Sequence, residues 1–108
     1  MAQDSLQGAL PVLVLKILAR RGPLHGYGIT ARIEEMSENV LRVEEGSLYP
    51  ALHRMEEAGW IDARWVKTGN NRRARVYEIT TGGRAQLEAQ ETRWRAVSAA
   101  VGQVLKRA

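Results

Sequence analysis

Residues 44–60, EEGSLYPALHRMEEAGW, pose the choice between an ordinary amphipathic helix and a surface that reads another molecule. Leu48, Leu52 and Met55 recur at i, i+4 and i+7, the stripe of a helix buried on one side. Ser47 stands where a hydroxyl can cap free N–H groups. Pro50 is then the third helical residue, still within the turn that lacks internal N–H partners. Gly59 closes the helix. Outside the stripe lie Ser47, Tyr49, Pro50, His53, Arg54, Glu56 and Glu57. The first five gather toward the N-terminal half, whereas the two glutamates would repel an anion and mark where a reading face should end.

Beyond Gly59 the period changes from helical to alternating. In WIDARWV, residues 60–66, Ile61, Ala63 and Trp65 share one side and Asp62 and Arg64 the other. In RVYEI, residues 75–79, Tyr77 and Ile79 oppose Glu78. The polar KTGNNRRA between them holds Gly69 and two asparagines that tolerate positive φ, so the segment reads as a β-hairpin.

Before the opening stretch, Leu10, Leu13, Val14, Ile17 and Leu18 form the stripe of a first helix. Pro11 fits its first turn, where the missing N–H costs nothing. Arg20 and Arg21 suit its C-terminal dipole, and Gly22-Pro23 stops it. A second helix follows HGYG, with Ile29, Ile33 and Met36 as its stripe and residues 37–39 as its exit. After the hairpin, Thr80 or Thr81 can cap a long last helix, whose first turn Gly82-Gly83 weakens. Along it Leu87, Gln90, Trp94, Val97, Val101 and Val104 are spaced 3, 4, 3, 4 and 3, a coiled-coil seam with one polar member, with Leu105 beside it. Ala96, Ala99, Ala100 and Gly102 permit close approach by another helix. Heptad spacing fits a helix partner better than a fold-back onto a compact core.

A chain of 108 residues supports one modest core, and no run reaches the length of a membrane span. The apolar N-terminal stretch is preceded by Asp4 and followed by basic residues, the reverse of a signal peptide. Without cysteine there are no disulfides, thiolate metal sites or cysteine nucleophiles. His25 and His53 are far apart with no carboxylate at ligand spacing, so no metal and no cofactor are expected. The glycine motifs lack a phosphate-loop lysine, and adjacent glutamates do not share a helix face. No enzymatic constellation emerges.

Net charge is +4, and its distribution matters more than its size. From Trp60 to Ile79, Arg64, Lys67, Arg72, Arg73 and Arg75 stand against Asp62 and Glu78, five cations against two carboxylates for a local +3. Three helices, then a basic hairpin, make a mainly α winged helix-turn-helix: residues 1–80 the DNA-binding domain with a two-stranded β wing, residues 81–108 a C-terminal dimerisation helix. The third helix is expected in the major groove and the wing on adjacent backbone. The expected DNA contacts are Ser47, Tyr49, Pro50, His53 and Arg54 on the helix, with Lys67, Arg72, Arg73 and Arg75 on the wing.

Three stretches, LQGALPVLVLKILARRGPLHGYGI at 6–29, EEGSLYPALHRMEEAGWI at 44–61 and RRARVYEITTGG at 72–83, together resemble the PadR family of bacterial transcriptional regulators. The combination of GYGI, GSLYPALHRMEEAG and YEIT is what is specific, and it spans nearly the whole chain. The resemblance implies a homodimeric repressor released from operator DNA by a small ligand, acting in the cytoplasm at the nucleoid. It implies a dimer made by the last helix with help from the first, hence Leu10 and Leu13 beside Leu87, Gln90, Trp94, Val97, Val101, Val104 and Leu105. Ser47 and Tyr49 match the start of the family's recognition helix, and Arg72 and Arg73 its basic wing pair. Trp94 falls where some members place a tryptophan that stacks on planar effectors, with Val97 next to it. Pro11 departs from the polar residue expected at a helix start. The short C-terminal part matches the small subgroup with one dimerisation helix. The rival expectation is a winged helix used for protein–protein assembly, without sequence-specific DNA binding.

Overall fold

In the computed structural model, residues 2–108 are described, with side chains from Gly8 onward; Met1 and the side chain of Asp4 lie outside the described residues. The elements run α1 (Ala2–Arg21), β1 (Leu24–His25), α2 (Gly26–Met36), α3 (Glu45–Glu57), β2 (Ile61–Lys67), β3 (Arg73–Ile79) and α4 (Thr81–Arg107). This is the winged helix-turn-helix with its long terminal helix.

The core lies where α1, α2 and α3 meet the base of the hairpin. Leu10, Val14, Leu15, Leu18, Ile29, Leu48, Leu52, Met55 and Ile61 are each almost wholly removed from water. Burial of each large side chain contributes about 1.5–3 kcal/mol, so the stripes of α1 and α3 hold the unit together. Leu13 is only partly buried, at the edge of this cluster. Met36, expected inward on α2, is exposed: the apolar stripe of α2 ends at Ile33, one turn before the helix itself does.

Three helices begin earlier than their sequences suggest. Helix α2, expected after HGYG, starts within it at Gly26. Helix α1 starts at Ala2 and passes through Pro11, which lies in its interior rather than its first turn. An interior proline costs about 3 kcal/mol in a helix, and the buried Leu10, Val14 and Leu15 around it offset that cost. Helix α3 starts at Glu45 rather than Ser47. The Glu44 carbonyl accepts from the N–H of both Ser47 and Leu48 at 3.0 Å, and Glu44 supplies the extended backbone of the cap position with no side-chain cap. The Glu45 carboxylate sits in the first turn, where the helix dipole favours it. Pro50 is accordingly the sixth helical residue, leaving the exposed Gly46 carbonyl without its helical donor.

The hairpin carries a third strand. Residues Leu24 and His25 pair antiparallel with Tyr77 and Val76, giving the order β1-β3-β2. Strands β2 and β3 pair from Ile61↔Ile79 to Lys67↔Arg73. His25 also caps α2, its Nδ1 accepting from the Gly28 N–H at 3.0 Å.

Thr80 is the cap of α4. Its Oγ1 accepts from the Gly83 N–H at 3.0 Å and donates to the Gly59 carbonyl at 2.7 Å, tying the helix start to the end of α3. Gly83 is needed there for space: a Cβ would overlap the Trp60 carbonyl. Leu87 then joins the core, and Glu91 pairs with Lys16 of α1 at 3.1 Å. From Thr92 to Ala108 every residue is exposed, as α4 leaves the body of the fold.

Candidate nucleic-acid interface

Helix α3 buries Leu48, Ala51, Leu52 and Met55. At about 100° per residue, the opposite face is centred on Gly46, Pro50, His53 and Glu57, all exposed. Tyr49 and Glu56 flank it on one edge, and Ser47 and Arg54 on the other. Tyr49 is half-exposed, and its ring lies over Gly26 at the start of α2. A Cβ on Gly26 would meet the Tyr49 hydroxyl at 2.7 Å and its ring carbons at 3.1 Å. A glycine is therefore the residue that lets α2 and α3 close on this side chain. Ser47 and Arg54 border a groove on the α1 side, shared with Leu10. The five expected contacts on α3 thus share the helix but not one edge: Tyr49, Pro50 and His53 turn toward α2 and the outer face, Ser47 and Arg54 toward α1.

Side chains alternate along strands, and the register sorts the wing into two faces. One face carries the pairs Ile61–Ile79, Ala63–Tyr77, Trp65–Arg75 and Lys67–Arg73, grading from core to cation along the hairpin. The other carries Asp62–Glu78, Arg64–Val76 and Val66–Ala74. At the tip the Arg72 carbonyl accepts from the Thr68 N–H at 2.7 Å and from its hydroxyl at 3.2 Å, with Asn71 at φ 61° completing the turn. Arg72 leaves this turn beside Arg73 and Lys67, and all three are exposed.

The five hairpin cations are not equivalent. Arg64 donates to Glu78 at 2.8 Å across the outer face. Arg75, expected as a free cation of the wing, is held by Glu56 of α3 at 2.9 Å, and its guanidinium lies 5.4 Å from the centre of the Trp65 ring. The hydrogen bond from Arg75 to Glu56 raises the pKa of this guanidinium above its ordinary value. Among the described residues, Lys67, Arg72 and Arg73 enter no ion pair. The charge of Glu56 is thereby balanced by its partner, while Glu57 Oε1 lies 3.6 Å from His53 Nε2. Burial pushes the Tyr77 hydroxyl above its ordinary pKa.

Sequence reasoning missed the seat that Gly26 gives Tyr49 and the contact between Glu56 and Arg75. Trp65 shares a strand face with Ile61 and Ala63, as the alternation predicts, yet it is 56% exposed because the hairpin has left the core by that point. A helix-to-strand contact between residues 19 apart has no periodic signal.

The expected dimer residues divide as well. Leu10 and Leu87 are committed to the chain's own core. Gln90 is partly buried, whereas Trp94, Val97, Val101, Val104 and Leu105 are exposed on the projecting part of α4. Trp94 and Val97 also line a cleft of about 490 Å³ between α1 and α4, with Pro11, Val12, Gln90 and Arg93. Among the described residues, no group of three or more acidic or histidine side chains gathers as a metal site, and no helix is long and apolar enough to cross a membrane.

Known proteins share this arrangement. Over 64 residues, 59% of this chain and 56% of the relative, the sequence is 39% identical to a transcriptional regulator of Mycobacterium tuberculosis. Over 70 residues, 65% of this chain but 38% of the longer relative, it is 29% identical to the negative transcriptional regulator PadR of Bacillus subtilis. The crystal structure of a PadR family transcriptional regulator from Eggerthella lenta superposes with a TM-score of 0.83 at 27% identity, covering 100% of this chain and 91% of that one. Residues 14–89, from within α1 to within α4, match the transcriptional regulator PadR-like family, and the chain belongs to it.

Proposed function

We propose that this regulator is a homodimeric repressor that occupies a pseudo-palindromic operator, with α3 in the major groove and the β2–β3 wing on the flanking backbone. The observation that carries the reading is the sorting of charge on the wing. The acids Glu56 and Glu78 are each held by an arginine, while Lys67, Arg72 and Arg73 project unpaired among the described residues. Free cations on a protruding element are what phosphate contact needs, because affinity there comes largely from counterion release. The outer face of α3, with Tyr49, Pro50, His53 and the flanking Ser47 and Arg54, supplies groups for base edges and phosphates.

The second copy is the partner that the projecting half of α4 calls for. Trp94, Val97, Val101, Val104 and Leu105 leave an apolar strip in water, and a two-fold pairing of α4 helices covers it in both protomers at once. Two recognition helices then address half-sites about 34 Å apart or a multiple of it. The cleft beside Trp94 and Val97 is within the volume range of small-molecule sites. A planar hydrophobic effector stacked on Trp94 would release the operator if it favoured a dimer with the wrong head spacing. Such a regulator works in the cytoplasm, on the nucleoid.

Binding sites selected from random DNA, followed by anisotropy titrations of selected and random duplexes over a range of salt, test the reading. The selected site is expected to bind more tightly at every salt concentration, and both affinities to fall steeply as salt rises. Arg72→Ala with Arg73→Ala is expected to weaken both duplexes alike and to shallow the log–log salt slope by about 2, roughly 0.9 per lost phosphate contact. A flat salt response of the unaltered protein would overturn DNA reading in favour of a protein–protein role.

A further inference from the structure

We propose that Glu56, Arg75 and Trp65 form a clasp that sets the angle between the recognition helix and the wing, making Arg75 a positioning residue for operator discrimination and not a phosphate contact. The inference rests on the DNA-reading function proposed above. Three observations converge on it. Arg75 Nη2 donates to Glu56 Oε1 at 2.9 Å, joining β3 to the last turn of α3. The same guanidinium lies 5.4 Å from the centre of the Trp65 ring, within cation–π range. Trp65 and Arg75 are cross-strand partners, so both strands of the wing are engaged at one level.

That level is where the wing leaves the body. Below it, Tyr77 is buried and Ala63 partly so; above it, Lys67 and Arg73 are exposed. The direct connection from α3 to β2 is the short Ala58–Trp60 turn, with Gly59 at φ 80°. From the Trp65–Arg75 pair to the tip the hairpin reaches about four residues, or ~13 Å at strand rise. A rotation of ~10° at the clasp therefore moves the tip by ~2 Å. Charge-assisted hydrogen bonds to phosphate hold over a few tenths of an ångström, so such a rotation separates the wing's contacts from those of α3. Base-reading and backbone contacts that must form together depend on this angle. Contacts to DNA of random sequence, formed in any register, do not.

Only a planar guanidinium can donate edge-on to a carboxylate and present its face to an indole at once. A lysine keeps the charge and serves as a point contact to phosphate, but it loses the combined geometry. The alternatives therefore predict opposite results. With the clasp, Arg75→Lys and Glu56→Gln each weaken the selected operator about 5–10-fold and leave random duplex affinity and salt slope nearly unchanged. The double variant is expected to be no worse than either single one, because both break the same unit. Trp65→Ala, at an exposed position, is expected to lower the operator-to-random ratio by a smaller factor.

All variants are compared with the unaltered full chain by anisotropy on the same two duplexes, with thermal melting to confirm that each is folded. If Glu56→Gln binds both duplexes more tightly and Arg75→Lys binds as the unaltered protein does, Arg75 is a phosphate contact, Glu56 a repelling acid, and the clasp is overturned. Additive losses in the double variant also overturn it. Failure of the unaltered protein to discriminate the two duplexes would instead remove the DNA-reading function, and the clasp with it.

Discussion

Helices α3 and α4 carry the same kind of apolar stripe and use it differently. On α3, Leu48, Leu52 and Met55 are covered by the chain itself. On α4 the stripe begins in the core with Leu87 and then runs out of the body, so that Val101 is 52% and Val104 64% exposed. Periodicity states that a face needs cover. It does not state which part of which chain provides it. In α3 the cover comes from α1 and the hairpin base, brought in by turns on either side. In α4 the chain's own cover thins beyond Glu91, where Lys16 of α1 meets the helix, and is least at Val104 and Leu105.

The largest expected effect belongs to the covered helix. Leu52→Ala should cost about 2–5 kcal/mol through lost burial and the cavity left behind, measured by chemical denaturation. A cost well under 1 kcal/mol would mean that α3 is not the keystone its burial indicates. The uncovered half of α4 should respond in assembly and not in protomer folding. Val101→Glu with Val104→Glu is expected to shift sedimentation at micromolar concentration from dimer to monomer while the helical circular-dichroism signal persists. An unchanged dimer would place the interface elsewhere.

The smallest effect is expected at the boundary between the two halves. Lys16 holds the Glu91 carboxyl below its ordinary range, with Arg95 and Arg20 adding to it. A lowered carboxylate pKa contributes stability that is present above the unfolded value near 4.5 and is lost as pH falls through the folded one. Lys16→Ala should therefore lower Tm slightly at neutral pH and low salt, and the difference should vanish in acid and shrink at high salt. A difference that survived acid would assign the loss to the lysine stem's packing against α1 and α4.

Legibility followed the range of the interactions. The stripes of α1 and α3, the alternation of the two wing strands and a threonine cap at residue 80 or 81 are written in residues close in sequence; all four are in the structure, with Thr80 as the cap. Helix α1 reaches back through Pro11 because burial on both sides outweighs a local penalty, a comparison that local propensity cannot make. Strand β1 is two residues long, too short to show a period, and exists because β3 offers a free edge. Helix α3 starts two residues before Ser47, a good cap by type, because the backbone turn is made at Glu44. Gly83 reads as a weak point of a helix and is a point of contact, since only the fold brings the Trp60 carbonyl against it.

In the candidate site, helix α3 and the basic hairpin were legible from residue type and spacing, and the family from the resemblance of three stretches of sequence. Sequence by itself determined that five cations sit on one hairpin and that Glu56 and Glu57 end the outer face of α3. Tertiary structure decided that Arg64 and Arg75 are paired and that Lys67, Arg72 and Arg73 project, because pairing depends on which strand face turns toward which neighbour. Alternation gives each side chain a face, and only the packing of α3 against the hairpin puts a carboxylate in front of one of them.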